Sequence, residues 1–108
     1  MAKPAQLLTR AIRDYLRLRG YFVWKGGTAG ALNAKGQFFQ ICEAGSPDLF
    51  AIKDGTLLCI EVKAGKDRLS PRQEFWLSEA EKHGAVCIVA RSVDDVMRVV
   101  EQECTTNE

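Results

Sequence analysis

Between Pro4 and Arg19, Leu8, Ala11, Ile12, Tyr15 and Leu16 recur at helical spacing, and Arg10, Arg13 and Arg17 fall on the other side. This predicts an amphipathic helix, stopped by Gly20. "YFVW" then reads as a short strand. "KGGTAGALNAKG", with four glycines in twelve residues, reads as a loop carrying two lysines that could order on a ligand. "QFFQIC" is a further short strand.

Two more strands flank Asp54-Gly55, the dipeptide suited to a two-residue hairpin turn. "LSPRQEFWLSEAEKHG" predicts a helix with Ser70 as N-cap, Pro71 in the first turn, Gln73 placed for a capping box and Gly84 as the stop. "AVCIVA" is a continuous apolar strand. "SVDDVMRVVEQE" is a last helix capped by Ser92, with Asp94 and Asp95 where the helix dipole favours them, and the tail "CTTNE" is expected to fray. The order is α-β-(β)-β-β-α-β-α. A strand, helix and strand over residues 56–90 imply a parallel crossover on an antiparallel meander, giving an α/β fold with a mixed β-sheet flanked by helices.

The hairpin carries the chemistry. With Asp54 and Gly55 as the turn, Lys53 faces Thr56 and Asp48 faces Glu61, on one side of the sheet. Facing side chains have Cβ atoms on the order of 5 Å apart, where like charges repel. Lys63 shares that side by the strand period of two. The rest of both strands is apolar on both sides, as in a sheet covered on both faces, so the charges stand at the edge of a core. A surface Glu61–Lys63 pair with Asp48 capping the preceding turn would be the plainer explanation. Two facing acids and a lysine at the end of an apolar hairpin instead call for a counter-charge, from Lys63 or a divalent cation. Two carboxylates with backbone carbonyls and waters suit Mg²⁺ or Mn²⁺, and such a site is equipped for phosphodiester hydrolysis, with Lys63 orienting water or neutralising charge.

At 108 residues, 46% hydrophobic and 27% charged, the chain has the size and composition of one globular domain spanning 1–108. It shows no membrane-length apolar run and no signal-peptide pattern, so it is expected in the cytoplasm. Cys42, Cys59, Cys87 and Cys104 form no CxxC pair and His83 is the one histidine, which argues against zinc. Residues 1–40 hold seven Lys and Arg against one acid, or +6, and residues 41–108 hold eight against thirteen, or −5. That split suggests a basic contact surface on a chain whose chemistry is acidic, although a solvated helix face would give the same count.

Pro47-Asp48 followed by Glu61-Val62-Lys63 across a hairpin resembles the PD-(D/E)xK motif of the restriction-endonuclease-like nucleases. "GSPDLFAIKDGTLLCIEVKAGKDRLSPRQEFWL" most closely resembles the VRR-Nuc family, the virus-type replication-repair nuclease domain. The resemblance implies a Mg²⁺- or Mn²⁺-dependent, structure-selective DNA endonuclease acting on branched DNA in the manner of a Holliday-junction resolvase. It would serve DNA replication, repair or recombination in a bacterial or phage-infected cell, and a non-catalytic DNA-binding module on the same fold is the alternative.

It further implies Asp48, Glu61 and the Val62 carbonyl as metal ligands, Lys63 as the catalytic lysine, and Gln73 facing the active site, beside the capping role read above. Gly45 and Pro47 would shape the approach to Asp48. Relatives often carry a glutamate near the start of the first helix. Here Gln6 stands there and Asp14 is the only acid before Glu43, which leaves room for one tightly held ion instead of two; Glu43 could compensate, although a solvated loop glutamate is the plainer reading. Members standing alone form homodimers, which suits a two-fold junction. Arg10, Arg13, Arg17, Arg19, Lys25 and Lys35 are the candidate phosphate contacts. Trp24 and Trp76 are expected in the core or at the dimer interface rather than as stacking platforms.

Overall fold

The computed structural model describes residues 3–26, 30–32, 34–40 and 44–106. The first helix, α1 (Pro4–Leu18), begins where Pro4 needs no hydrogen-bond donor and where the Gln6 side chain accepts from the Lys3 N–H at 3.2 Å. It ends as predicted at Gly20 (φ +89°). Ile12 and Leu16 are fully buried with Leu8 and Tyr15 packed beside them, whereas Ala11, read as part of the apolar face, is exposed.

Strands β1 (Phe22–Lys25), β4 (Leu49–Lys53), β5 (Thr56–Val62) and β6 (Val86–Ala90) form one sheet in the order β1-β4-β5-β6, antiparallel except for the parallel β5/β6 pair. Helix α2 (Pro71–Lys82) connects β5 to β6, and α3 (Val93–Thr106) follows β6. Among the described residues, strands β2 (Gly30–Leu32) and β3 (Phe38–Gln40) pair with each other and with no other strand. Two expectations change here. The glycine-rich stretch contributes a strand, and Phe38–Gln40 of "QFFQIC" joins that ribbon rather than the main sheet, because three-residue strands leave the choice of partner to pairing rather than pattern; residues 41 and 42 lie outside the described residues. The third helix also continues through Thr106, into the tail read as frayed.

Alternation assigns each strand two faces. Val23, Leu49, Ala51, Leu58, Ile60, Val62, Ile88 and Ala90 form one core with Ile12 and Leu16 of α1 and Val96 and Val100 of α3. Each buried Val, Leu or Ile among them contributes about 1.5–3 kcal/mol by leaving water. The other face bears Phe50, Cys59, Glu61 and Cys87, and α2 covers it: Trp76 packs edge-on to Phe50 at 5.7 Å, and the Cys87 thiol donates to the Leu77 carbonyl at 3.3 Å. This cover is incomplete, contrary to the expectation of a sheet covered on both faces, since Phe22 is 69% exposed and Ile52 and Val89 are each 37% exposed. One helix is too narrow for four strands. No helix among the described residues is long and apolar enough to cross a membrane.

Gly45 ties the segment before β4 to the first turn of α2. Its φ is +88°, and a Cβ there would stand 2.7 Å from Cγ and 2.8 Å from the carbonyl oxygen of Arg72. Gly45→Ala therefore combines backbone strain with a clash, and is expected to destabilise the fold by about 1–3 kcal/mol. Urea denaturation checks this; an unchanged midpoint would show that the helix and this segment move apart freely.

Candidate active site

The hairpin register follows from its turn. Asp54 (φ +51°) and Gly55 (φ +83°) both take the left-handed conformation that a tight two-residue turn demands. The pairing then runs from Lys53↔Thr56 to Leu49↔Ile60, as read from the sequence. One step further, Asp48 and Glu61 share a face.

Beyond Leu49 the ladder changes hands. Ladder-bonded pairs alternate with unbonded ones, and Val62 is next in line to exchange both backbone bonds with Pro47. Proline has no N–H to offer the Val62 carbonyl. The Asp48 Oδ2 accepts the Val62 N–H instead, at 2.8 Å. The Lys63 N–H points the other way, to the Ala90 carbonyl at 2.9 Å, so the Val62 carbonyl leaves the strand on the Asp48 side.

Glu61 is 2% exposed. Its Oε1 accepts from the Gln73 Nε2 at 3.2 Å and lies 3.8 Å from the Lys63 ammonium. Its Oε2 is buried without a hydrogen-bond partner among the described residues. Burial first and the Asp48 carboxylate second push Glu61 up to about 8, and Lys63 offsets this only in part. Gln73 performs both roles read for it. Its Oε1 accepts from the Ser70 N–H at 2.9 Å and its own N–H donates to the Ser70 hydroxyl at 3.2 Å, completing the capping box, while its amide nitrogen reaches Glu61.

These donors fit a hard cation. The orphaned Glu61 oxygen, the Asp48 carboxylate and the Val62 carbonyl are all oxygens, the set that Mg²⁺ or Mn²⁺ takes with waters completing the shell. No third His, Cys, Asp or Glu joins them in a metal-holding group among the described residues. Gln6 lies in the same cleft as Asp48, and Glu43 lies outside the described residues.

That cleft, of about 530 Å³, runs between α1 and the ends of β1, β4 and β5. Arg10, Arg13, Arg17 and Lys25 line it with Asp48, so four of the six candidate phosphate contacts share the carboxylate's opening. The other two do not line it. Arg19 closes α1, where its carbonyl accepts from the Lys53 ammonium at 2.7 Å, and Lys35 is exposed between β2 and β3. A larger groove of about 990 Å³ follows α2 past Phe75 and Trp76 without either carboxylate.

Two residues gained roles that the sequence reading did not give them. Trp24 is not in the core of this chain; it lines the cleft and is 39% exposed. Arg91 pins the segment between Lys63 and α2, donating from its guanidinium to the Gly65 carbonyl at 2.8 Å and the Asp67 carbonyl at 2.6 Å. No motif marks Arg91, because its partners are backbone atoms more than twenty residues away.

The raised Glu61 gives a signed pH dependence. Between the ordinary value of 4.5 and about 8, the unfolded chain has lost this proton while the folded chain keeps it. Stability from Glu61 therefore falls as pH rises through that window and is level above it. In EDTA, Glu61→Gln is expected to match the wild type near pH 5 and to exceed it by a few kcal/mol near pH 8. Urea denaturation at both values measures this, and parallel wild-type and variant curves would refute it.

Comparison with known proteins agrees with the geometry. The VRR-NUC domain model matches residues 25–94. A solved structure titled "VRR_NUC domain" superimposes with a TM-score of 0.69 at 22% identity, covering 93% of this chain and 97% of that one, so the mixed sheet with flanking helices is a shared fold. No curated protein matches the sequence. The matched segment contains the hairpin, both carboxylates, Lys63 and Gln73, and the chain belongs to the VRR-NUC family of nuclease-type domains.

Proposed function

We propose that residues 1–108 act as one catalytic domain, a Mg²⁺- or Mn²⁺-dependent endonuclease that hydrolyses phosphodiester bonds in branched DNA. The observation that carries this reading is the buried Glu61 oxygen, which has no hydrogen-bond partner among the described residues and lies beside Asp48, a residue of the cleft walled by Arg10, Arg13, Arg17 and Lys25. The cations hold the phosphate backbone without reading bases, which suits recognition of shape. Asp48, Glu61 and the Val62 carbonyl would hold the metal. Lys63, kept near Glu61 and anchored through its N–H to Ala90, orients the attacking water and offsets charge on the phosphoryl group as one P–O bond forms and the other breaks. A divalent cation bound there would polarise the phosphoryl oxygen and acidify water. Gln73 keeps Glu61 turned toward the site.

A homodimer is part of the proposal, because a two-fold pair sets two such sites on a two-fold junction. The expected setting is the cytoplasm of a bacterial or phage-infected cell. Gln6, in place of an acid in the cleft, favours one second reading: a DNA-binding module that has lost the chemistry.

The deciding experiment offers labelled four-way junctions, forks, flaps and linear duplex to the wild type, Asp48→Ala, Glu61→Gln and Lys63→Ala, in Mg²⁺, Mn²⁺ or EDTA. The expected outcome is metal-dependent cutting of branched substrates, reduced by about 100-fold or more in each variant. Junction binding without product in either ion would establish the binding module instead.

A further inference from the structure

Trp24 is an exposed aromatic side chain held in a fixed pose. It stacks on Phe50 with ring centroids 5.3 Å apart and planes 14° from parallel. Phe22 braces it at 5.4 Å, and Phe50 rests in turn on Trp76 of α2. Strand β1 lies at the sheet's edge, with β4 as its partner in that sheet, and Trp24 is 39% exposed and among the residues that line the cleft holding Asp48.

Register locates it relative to the chemistry. Trp24 is opposite Phe50, two residues along the same face from Asp48. Such a diagonal spans about 7–8 Å between neighbouring strands. That is about two nucleotide steps of roughly 3.4 Å along a stacked strand. The residue directly across from Asp48 is Gly26, whose N–H donates to the Asp48 carbonyl at 2.8 Å and which puts no side chain between the indole and the acid.

We infer that Trp24 is a stacking platform for one unpaired base of the nucleic acid, within about two nucleotides of the phosphate that is cut. The inference rests on the proposed nuclease function and deepens it, making the substrate one with a splayed or single-stranded nucleotide beside the scissile bond. Charge favours this occupant. Arg13, Arg17 and Lys25 line the same cleft that Trp24 borders at the end of β1. A two-fold contact would set that cluster against its own copy, whereas a polynucleotide brings phosphates to the cations and a π-face to the ring.

The test is binding in EDTA, where nothing is cut, by wild type, Trp24→Ala and Trp24→Phe. The probes are a fork with a single-stranded arm, the same fork with an abasic site at each of the first few unpaired positions, and linear duplex. Trp24→Ala is expected to bind the fork about 5- to 150-fold more weakly, with duplex binding changed little and Trp24→Phe close to wild type. One abasic position should weaken the wild type similarly and leave Trp24→Ala indifferent. A wild type insensitive to every abasic position overturns the inference even if the alanine variant fails to fold. So does equal loss on fork and duplex, or a Trp24→Ala chain that is monomeric where the wild type is dimeric. If the wild type binds and cuts but Trp24→Ala binds the fork normally, stacking alone falls. If the wild type binds none of these nucleic acids, the nuclease reading falls with it.

Discussion

The bond from the Val62 N–H to the Asp48 carboxylate organises the site, because it stands where a ladder bond would otherwise be. Pro47 ends the exchange of backbone bonds at the position facing Val62. A side chain replaces a main-chain acceptor there, and the Val62 carbonyl is released on the same side. The missing proline N–H therefore frees the Val62 oxygen, and the Asp48 carboxylate is held beside it by the Val62 N–H. Glu61 is the preceding residue on β5, so its carboxylate cannot avoid the same corner. Its desolvation follows from its place in the sheet.

Helix α2 then closes the arrangement from above. Gln73 has two polar ends, and each is committed: the amide oxygen to the Ser70 N–H, the amide nitrogen to Glu61. A local capping interaction thus aims a side chain at the site, and whatever secures the first turn of the helix also secures Glu61. Gly45 allows Arg72 to approach the segment leading to Asp48. Trp76, one turn beyond Gln73, supports Phe50 and through it Trp24. The helix is therefore a common reference for the carboxylates and for the aromatic edge of the cleft.

Much of this was legible in the sequence because it is local. Asp54-Gly55 sets the hairpin register, and the register brings Asp48, Glu61 and Lys63 together without any tertiary information. Ser70, Pro71 and Gln73 announce α2 by their own chemistry. What was not legible depends on distant partners. The β2/β3 ribbon is too short for its pattern to choose a sheet. Trp24 looks like core in an apolar strand, and only its place on the edge strand, beyond the reach of α2, exposes it. Arg19 and Lys35 carry the same charge as Arg10 and Arg17 but fall outside the cleft, because charge along the chain does not state direction. Arg91 binds carbonyls, which leave no mark on sequence.

The uneven charge of the two halves of the chain is resolved by this geometry, though not by mutual neutralisation. The cationic residues of α1 and β1 stand in water, where a unit charge at 4 Å is worth about 1 kcal/mol and less with salt. Glu61 is desolvated, and burial outweighs the attraction of Lys63 even though that ammonium is 3.8 Å away. Fields from exposed arginines cannot reverse a penalty that a neighbouring lysine leaves standing. Only a proton or a cation placed directly on the Glu61 oxygens can do so. The basic wall is thus left available for an external polyanion, and the acidic corner for what must meet that polyanion's phosphate. Opposite charges remain separate because the basic set is hydrated on the cleft wall and Glu61 is buried.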